Sequence, residues 1–178
     1  DVVSITATNP PELCPDYRLH QLMTTYRGCA VVDTEYVIKT RSDEKWVDLS
    51  PFIDKFFEDD DKLLTSNIFW KPTNDRGHYL EGKLGYHISD HLMMAKSQYL
   101  VRGLSEFLAK NSPNNHAEGE IREQACETSF GKSFLIGKYG THELKSSKSA
   151  FEEDFVCFDV NGIEDYHISY NGGPQGLK

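Results

Sequence analysis

The tetrapeptide Tyr-His-Ile-Ser occurs twice, at Tyr86–Ser89 and at Tyr166–Ser169. In each copy a hydroxyl follows an imidazole by two residues, and in a strand residues i and i+2 share a face. Two such faces brought together supply a matched acid and base. One imidazole takes a proton from an attacking water, the other protonates a leaving oxygen, and the hydroxyls hold the group between them. His87, Ser89, His167 and Ser169 are therefore the candidate catalytic residues.

The repeated pattern resembles the paired His-x-Ser/Thr motifs of the two-histidine phosphoesterase superfamily. That resemblance implies metal-independent cleavage of cyclic phosphates or related RNA ends, with His87 and His167 as base and acid and Ser89 and Ser169 binding the phosphate. The surroundings depart from that family. Asp90 and Tyr170 follow the hydroxyls where an apolar residue is usual, and Ser169 lies nine residues from the end of the chain. Each motif also has a local role available: Ser89 suits the N-cap of a following helix, and His167 stands in a strand between Tyr166 and Tyr170.

Other combinations carry weaker chemistry. His87 and His91 are four apart, a spacing that ligates metals from one helix face, with Asp90 or His78 as a third donor. Asp75-Arg76-Gly77-His78 resembles the Asp-Arg-Gly-His tetrapeptide of ββα-metal nucleases, yet Asn74-Asp75 before Arg76-Gly77 reads more simply as a turn. Cys126 with His142 or His116 would make a thiol nucleophile, but no motif surrounds it. Glu58–Asp61 lacks the alternating ligands of a calcium loop, and Glu118, Glu120 and Glu123 read as a polar face. Trp46, Phe69 and Trp70 are candidates for a pocket or binding surface. Neither a metal nor a cofactor is expected.

The four cysteines, Cys14, Cys29, Cys126 and Cys157, show no C-x-x-C and no zinc-finger spacing. Their even number, in a chain that starts without methionine and reads as a processed or excised piece, predicts two disulfides and an extracellular or secretory location. Local loop closure favours Cys14–Cys29 and Cys126–Cys157. No Asn-x-Ser/Thr acceptor accompanies them.

The 178 residues read as one domain, 1–178, with an extended arm over 1–9 and a Gly/Pro tail over 172–178 holding two Gly-x-y triplets. A hydrophobic fraction of 38% predicts a packed core rather than disorder. A net charge of −9 repels phosphate backbones and argues against general nucleic-acid binding. No apolar run reaches the ~20 residues of a membrane span.

Periodicity predicts helices over the segments from Cys14 to Cys29, from Ser50 (N-cap, with Pro51 next) for a short stretch, and from Asp90 to Lys110, where Leu100, Leu104, Phe107 and Leu108 form a stripe. Strands are predicted around Thr34–Ile38, within EKWVDL, NIFWKP and HYLEGKLGYHIS, and in KSFLIGKYG, DFVCFDV and DYHISY, with Asn161-Gly162 as a hairpin turn. The fold class expected is α+β: a mainly antiparallel sheet with helices packed on one face and two disulfides. A lipocalin-like barrel fits less well, because a long helix interrupts the strands. The function expected is a secreted, disulfide-stabilised, non-enzymatic domain that binds a protein or small ligand, with the phosphoesterase as the alternative.

Overall fold

A computed structural model describes residues 17–41, 44–111, 125–160 and 167–168. Its elements in order are α1 (Tyr17–Ala30), β1 (Tyr36–Lys39), β2 (Glu44–Lys45), α2 (Ser50–Phe56), β3 (Leu63–Ser66), β4 (Met93–Lys96), α3 (Ser97–Lys110), α4 (Cys126–Tyr139), α5 (Ser147–Glu153), β5 (Phe155–Phe158) and β6 (His167–Ile168). The class is α+β. The main sheet runs β1-β4-β3-β5, and β2 pairs with β6 in a second, two-stranded sheet. β4 is antiparallel to both β1 and β3, whereas β3 and β5 are parallel. The sheet is thus mixed rather than mainly antiparallel.

Both faces of the sheet are covered, so helices are not confined to one side. Alternate residues divide between two cores: Val37, Leu63, Met93, Ala95 and Phe155 join Leu22, Leu100, Leu104, Phe107, Phe130 and Phe134 of α1, α3 and α4. Tyr36, Ile38, Leu64, Met94, Val156 and Phe158 join Phe52 and Phe56 of α2. This period of two is the pleat of the strands read out as burial.

α4 is the central helix of the larger layer. Eleven of its residues are buried, from Cys126 to Gly137. It approaches α3 through two glycines: a Cβ at Gly103 would stand 1.8 Å from the Ser133 carbonyl oxygen, and one at Gly137 1.8 Å from that of Tyr99. No side chain larger than hydrogen fits either crossing point.

Several element expectations change. KSFLIGKYG belongs to helix α4, not to a strand, and the apolar run before Ser97 is β4, not the start of a helix. α2 is short as expected, but Leu49 occupies the N-cap position, and Ser50 donates its N–H to Asp48 Oδ1 at 2.8 Å. NIFWKP and HYLEGKLGYHIS form no strand: they are turns and irregular backbone with a 3-10 helix at Gly82–Leu84, apart from a single bridge between Thr73 and Tyr79. Asn161-Gly162, the arm and the Gly/Pro tail lie outside the described residues.

The predicted disulfides are not formed. Cys29, Cys126 and Cys157 carry thiols, and Cys14 lies outside the described residues. The sheet explains the Cys126–Cys157 separation. Lys39 of β1 lies over the Phe130 ring, one turn along α4 from Cys126, while Cys157 is on β5 at the opposite edge. Three strand spacings separate those edges, about 14 Å, against the ~7 Å that a disulfide spans between Cα atoms. The expectation of an oxidising, extracellular compartment rested on those bridges and loses that support.

Candidate functional site

The strands bring their chemistry to one end. The carboxyl ends of β1, β3 and β5 and the amino end of β4 coincide, as the pairings Lys39↔Met93, Thr65↔Met93 and Ser66↔Phe158 require. In open sheets this carboxyl edge of parallel strands is where ligands commonly sit. Here it holds a buried cluster of charged side chains: Lys39 from the end of β1, Arg41 and Glu44 from the turn into β2, and Asp90 and His91 just before β4.

Asp90 is the centre of the cluster. Its Oδ2 accepts a short hydrogen bond from Gln21 Nε2 of α1 and stands 3.7 Å from Lys39 Nζ and 3.6 Å from Arg41 Nη1. Lys39 also donates to the Asp90 carbonyl oxygen. Burial opposes ionisation of Asp90, but the charge of Lys39, with contributions from His91, Gln21 and Arg41, outweighs it and holds the carboxyl below its usual range. Burial pulls Lys39 the other way, below its ordinary value, and Asp90 works against that loss. His91 Nδ1 meets Glu44 Oε1 in a short contact, and His91 Nε2 lies 3.9 Å from Asp90 Oδ1. Glu44, its side chain fully buried, also faces Arg41 Nε at 3.7 Å and accepts from Trp46 Nε1 at 3.2 Å.

Two aromatics have strained backbones, Phe69 at this edge and Tyr86 in the segment that leads to it. Phe69, in the turn after β3, has φ +57°, is 54% exposed and sets its ring 5.3 Å from that of His91. Tyr86 has φ +59°. Bulky side chains rarely adopt this region, and such strain gathers at functional sites. Tyr86 is held there by its N–H to Ser147 Oγ at 2.9 Å and its hydroxyl to the Lys145 carbonyl at 2.6 Å.

The first Tyr-His-Ile-Ser motif leads directly into the cluster. Ile88 is buried in the core. The His87 carbonyl accepts from the Lys71 N–H at 3.2 Å, while His87 Nδ1 is buried with no hydrogen-bond partner among the described residues. Ser89 is fully buried, shares a hydrogen bond with Ser66 Oγ at 2.8 Å and accepts the His91 N–H at 3.3 Å. Its hydroxyl therefore holds the turn before β4 instead of capping a helix; α3 begins later, with Lys96 at its N-cap position. The second motif contributes β6, where His167 pairs with Lys45 and Ile168 with Glu44. Ser169 lies outside the described residues. Glu44 thus pairs by backbone with Ile168 of the second copy and by side chain with His91, two residues beyond the first copy, and no contact between His87 and His167 is shown among the described residues.

The remaining candidates occupy structural positions. Asn74 Oδ1 accepts from the Arg76 and His78 N–H groups at 2.9 and 3.1 Å, so Asp75–His78 closes an exposed turn. His142 packs its ring edge-on to Tyr86. Asp60 and Asp61 of the acidic run bind Lys96 and Lys138. His116, Glu118, Glu120 and Glu123 lie outside the described residues. Among the described residues no group of three or more His, Cys, Asp or Glu side chains is arranged to hold a metal, and no helix is long and apolar enough to cross a membrane.

The sequence reading missed Lys39, Glu44 and Gln21. Lys39 carried a signal: it ends an apolar strand whose alternation places it on the core face with Val37. Glu44 and Gln21 are ordinary polar residues until the fold assembles them. Comparison with protein-family models, curated proteins and solved structures found no match.

Proposed function

We propose that this protein is a recognition domain that binds a small polar ligand at the carboxyl edge of its sheet. The observation that carries the reading is the buried set Lys39, Glu44, Asp90 and His91, with the exposed ring of Phe69, on a strained backbone, packed against His91. Buried charges are costly, and groups shifted by burial and charged partners concentrate where ligands are handled. Phe69 supplies an aromatic face at the entrance, and Arg41, 31% exposed at its side chain, supplies a charge.

The test is thermal melting of the full chain against a panel of small carboxylates, phosphates, amines and nucleotides. A ligand should raise the melting temperature of the wild type and lose that effect in Phe69→Ala, an exposed position where truncation leaves the core intact. No response across the panel, or an undiminished response in Phe69→Ala, would sink the reading.

The metal-independent phosphoesterase stands as a second reading, favoured by the buried His87 Nδ1, which has no hydrogen-bond partner among the described residues, and by the pairing of the strand that holds His167 with Glu44–Lys45. It expects hydrolysis of a 2′,3′-cyclic nucleotide that disappears in both His87→Ala and His167→Ala. Loss in only one of them, or no hydrolysis at all, argues against it.

A further inference from the structure

β3 and β4 are antiparallel neighbours, and such strands need only about two to five residues between them. Here the connection runs over 67–92 and holds only the short 3-10 helix Gly82–Leu84. Ordered connections of this length are uncommon and usually serve as lids or binding loops. Residues 71–85 stand off the core, with Lys71, Asn74–His78 and Glu81–Leu84 exposed. The tip of the segment is tightly bonded to itself. The Asn74 N–H donates to the His78 carbonyl at 2.8 Å and the Leu80 N–H to that of Pro72 at 2.9 Å, around the Thr73–Tyr79 bridge. Hydrogen bonds that cross to the body are longer: the Lys71 N–H to the His87 carbonyl at 3.2 Å, the Ser147 N–H to Glu81 Oε2 at 3.4 Å and the Tyr79 hydroxyl to Glu152 Oε1 at 3.5 Å. The Tyr79 ring rests 6.2 Å from that of Phe151 on α5. Long bonds and high exposure put a segment at the low end of local stability.

Both ends of the segment are built as pivots. Phe69 and Tyr86, just outside it, are the two non-glycine residues of positive φ among the described residues. Strain of this kind collects in switch regions, where a second conformation relieves it. Each pivot is fixed to the body. Trp70, next to Phe69, sets its ring edge-on to Phe151 at 5.0 Å. The Tyr86 carbonyl presses on α4, where a Cβ at Gly131 would come within 2.3 Å of its oxygen.

We infer that residues 71–85 form a strap that swings as one body about Phe69 and Tyr86, leaving its seat on α5 and opening its base at His87. The strap swings whether or not a ligand binds at the carboxyl edge.

Amide hydrogen exchange of the full chain, followed by NMR, is the test. The Lys71 and Ser147 amides, which bridge strap and body, should share one protection factor. It should be lower than those of Asn74 and Leu80 within the strap, and of Ala150 and Asp154, which bond within α5 at 3.0 and 2.8 Å. Tyr79→Ala removes the ring contact and the hydroxyl, and should lower both bridging protections about ten-fold while leaving Ala150 and Asp154 unchanged. Glu81→Ala, at an exposed position, removes a different contact and should lower the Lys71 protection too, although Lys71 is not its partner. Three results overturn the inference. Lys71 protection unchanged in both variants leaves no swing, Ala150 and Asp154 losing protection in step with Ser147 means that α5 melts, and Asn74 and Leu80 exchanging before Lys71 means that the strap unravels.

Discussion

Asp90 draws hydrogen bonds and charges from three directions: Gln21 on α1, Lys39 on β1 and Arg41 beyond it. A buried carboxylate with its main partner removed is strongly destabilising, whereas removing both partners together costs far less. Lys39→Met should therefore cost about 3 kcal/mol in urea unfolding, and Lys39→Met with Asp90→Asn should recover much of it. Simple addition of the two costs would contradict the pairing. Tyr86→Phe removes only the hydrogen bond to the Lys145 carbonyl and should cost about 1 kcal/mol by the same assay. At this scale the sequence displayed the right residues around the first motif but not their roles. His-x-Ser spacing marks a shared face only in a strand, and Tyr86–Ser89 is an irregular segment in which Ser89 is consumed by Ser66. Cysteine parity misled for a related reason: it carries no information on which strand each thiol occupies. Burial pushes the Cys29 thiol up to about 11, against the nearby Lys39, so it should resist alkylation near neutral pH. Burial and Asp159 push the Cys157 thiol to about 11 as well, so exposure decides between them. Mass mapping of native protein labelled without reductant should find Cys157, the exposed one of the three described cysteines, alkylated before Cys29 and Cys126, and no Cys126–Cys157 cystine.

α3 was legible because it is amphipathic: Leu100, Leu104 and Phe107 are buried while Arg102 and Glu106 pair on the outside at 3.0 Å. α4 was not, because it is buried nearly all round, and a helix without a polar face has no 3.6-residue signal to read. Its Gly131 and Gly137 are poor helix formers and weaken any helical signal further. Gly137 in fact sets the distance between α3 and α4, and Gly137→Ala should force them apart at a cost of about 3 kcal/mol, measured by chemical unfolding. A cost near zero would mean that the crossing is looser than described. β3 and β4 escaped notice for the mirror-image reason. Both are central strands covered on two faces, so Leu63-Leu64 and Leu92–Ala95 read as continuous apolar runs, which pattern alone cannot separate from helix. α5 did carry a local sign, since Ser146 accepts the Ser149 N–H at 3.1 Å as its N-cap.

Across the whole molecule a second polar network ties the layers together away from the carboxyl edge. Asp61 accepts from Tyr99 at 2.7 Å and pairs with Lys138 at 2.9 Å, and Lys138 continues to Asp154 at 3.1 Å. Burial works against the Asp61 charge, yet hydrogen bonds from Lys138, Tyr99 and Lys96 prevail and hold its carboxyl at about 2. A carboxyl whose folded pKa lies below its unfolded value, about 3.9, stabilises the fold above that value and loses the contribution as pH falls toward the folded one. Asp61→Asn should therefore flatten the fall in melting temperature between about pH 4 and pH 2. Because the Asp61 side chain is 47% exposed, solvent screening keeps the effect below about 1 kcal/mol. The acidic run Glu58–Asp61 supplies part of this staple, which becomes visible only when α3, α4 and the turn between α2 and β3 are assembled. The class, α+β, followed from composition and element order; the two-sided sheet did not, because that depends on which face α2 covers. The claim on which the account turns is that the carboxyl edge of the sheet is where a ligand is bound. Amide NMR titration with the panel member that most raises the melting temperature tests it most directly. The account predicts shifts concentrated at Arg41, Glu44, Ser66, Phe69 and Ser89–His91; shifts centred instead on the α2 face, around Lys55, Asp59 and Lys62, would contradict it.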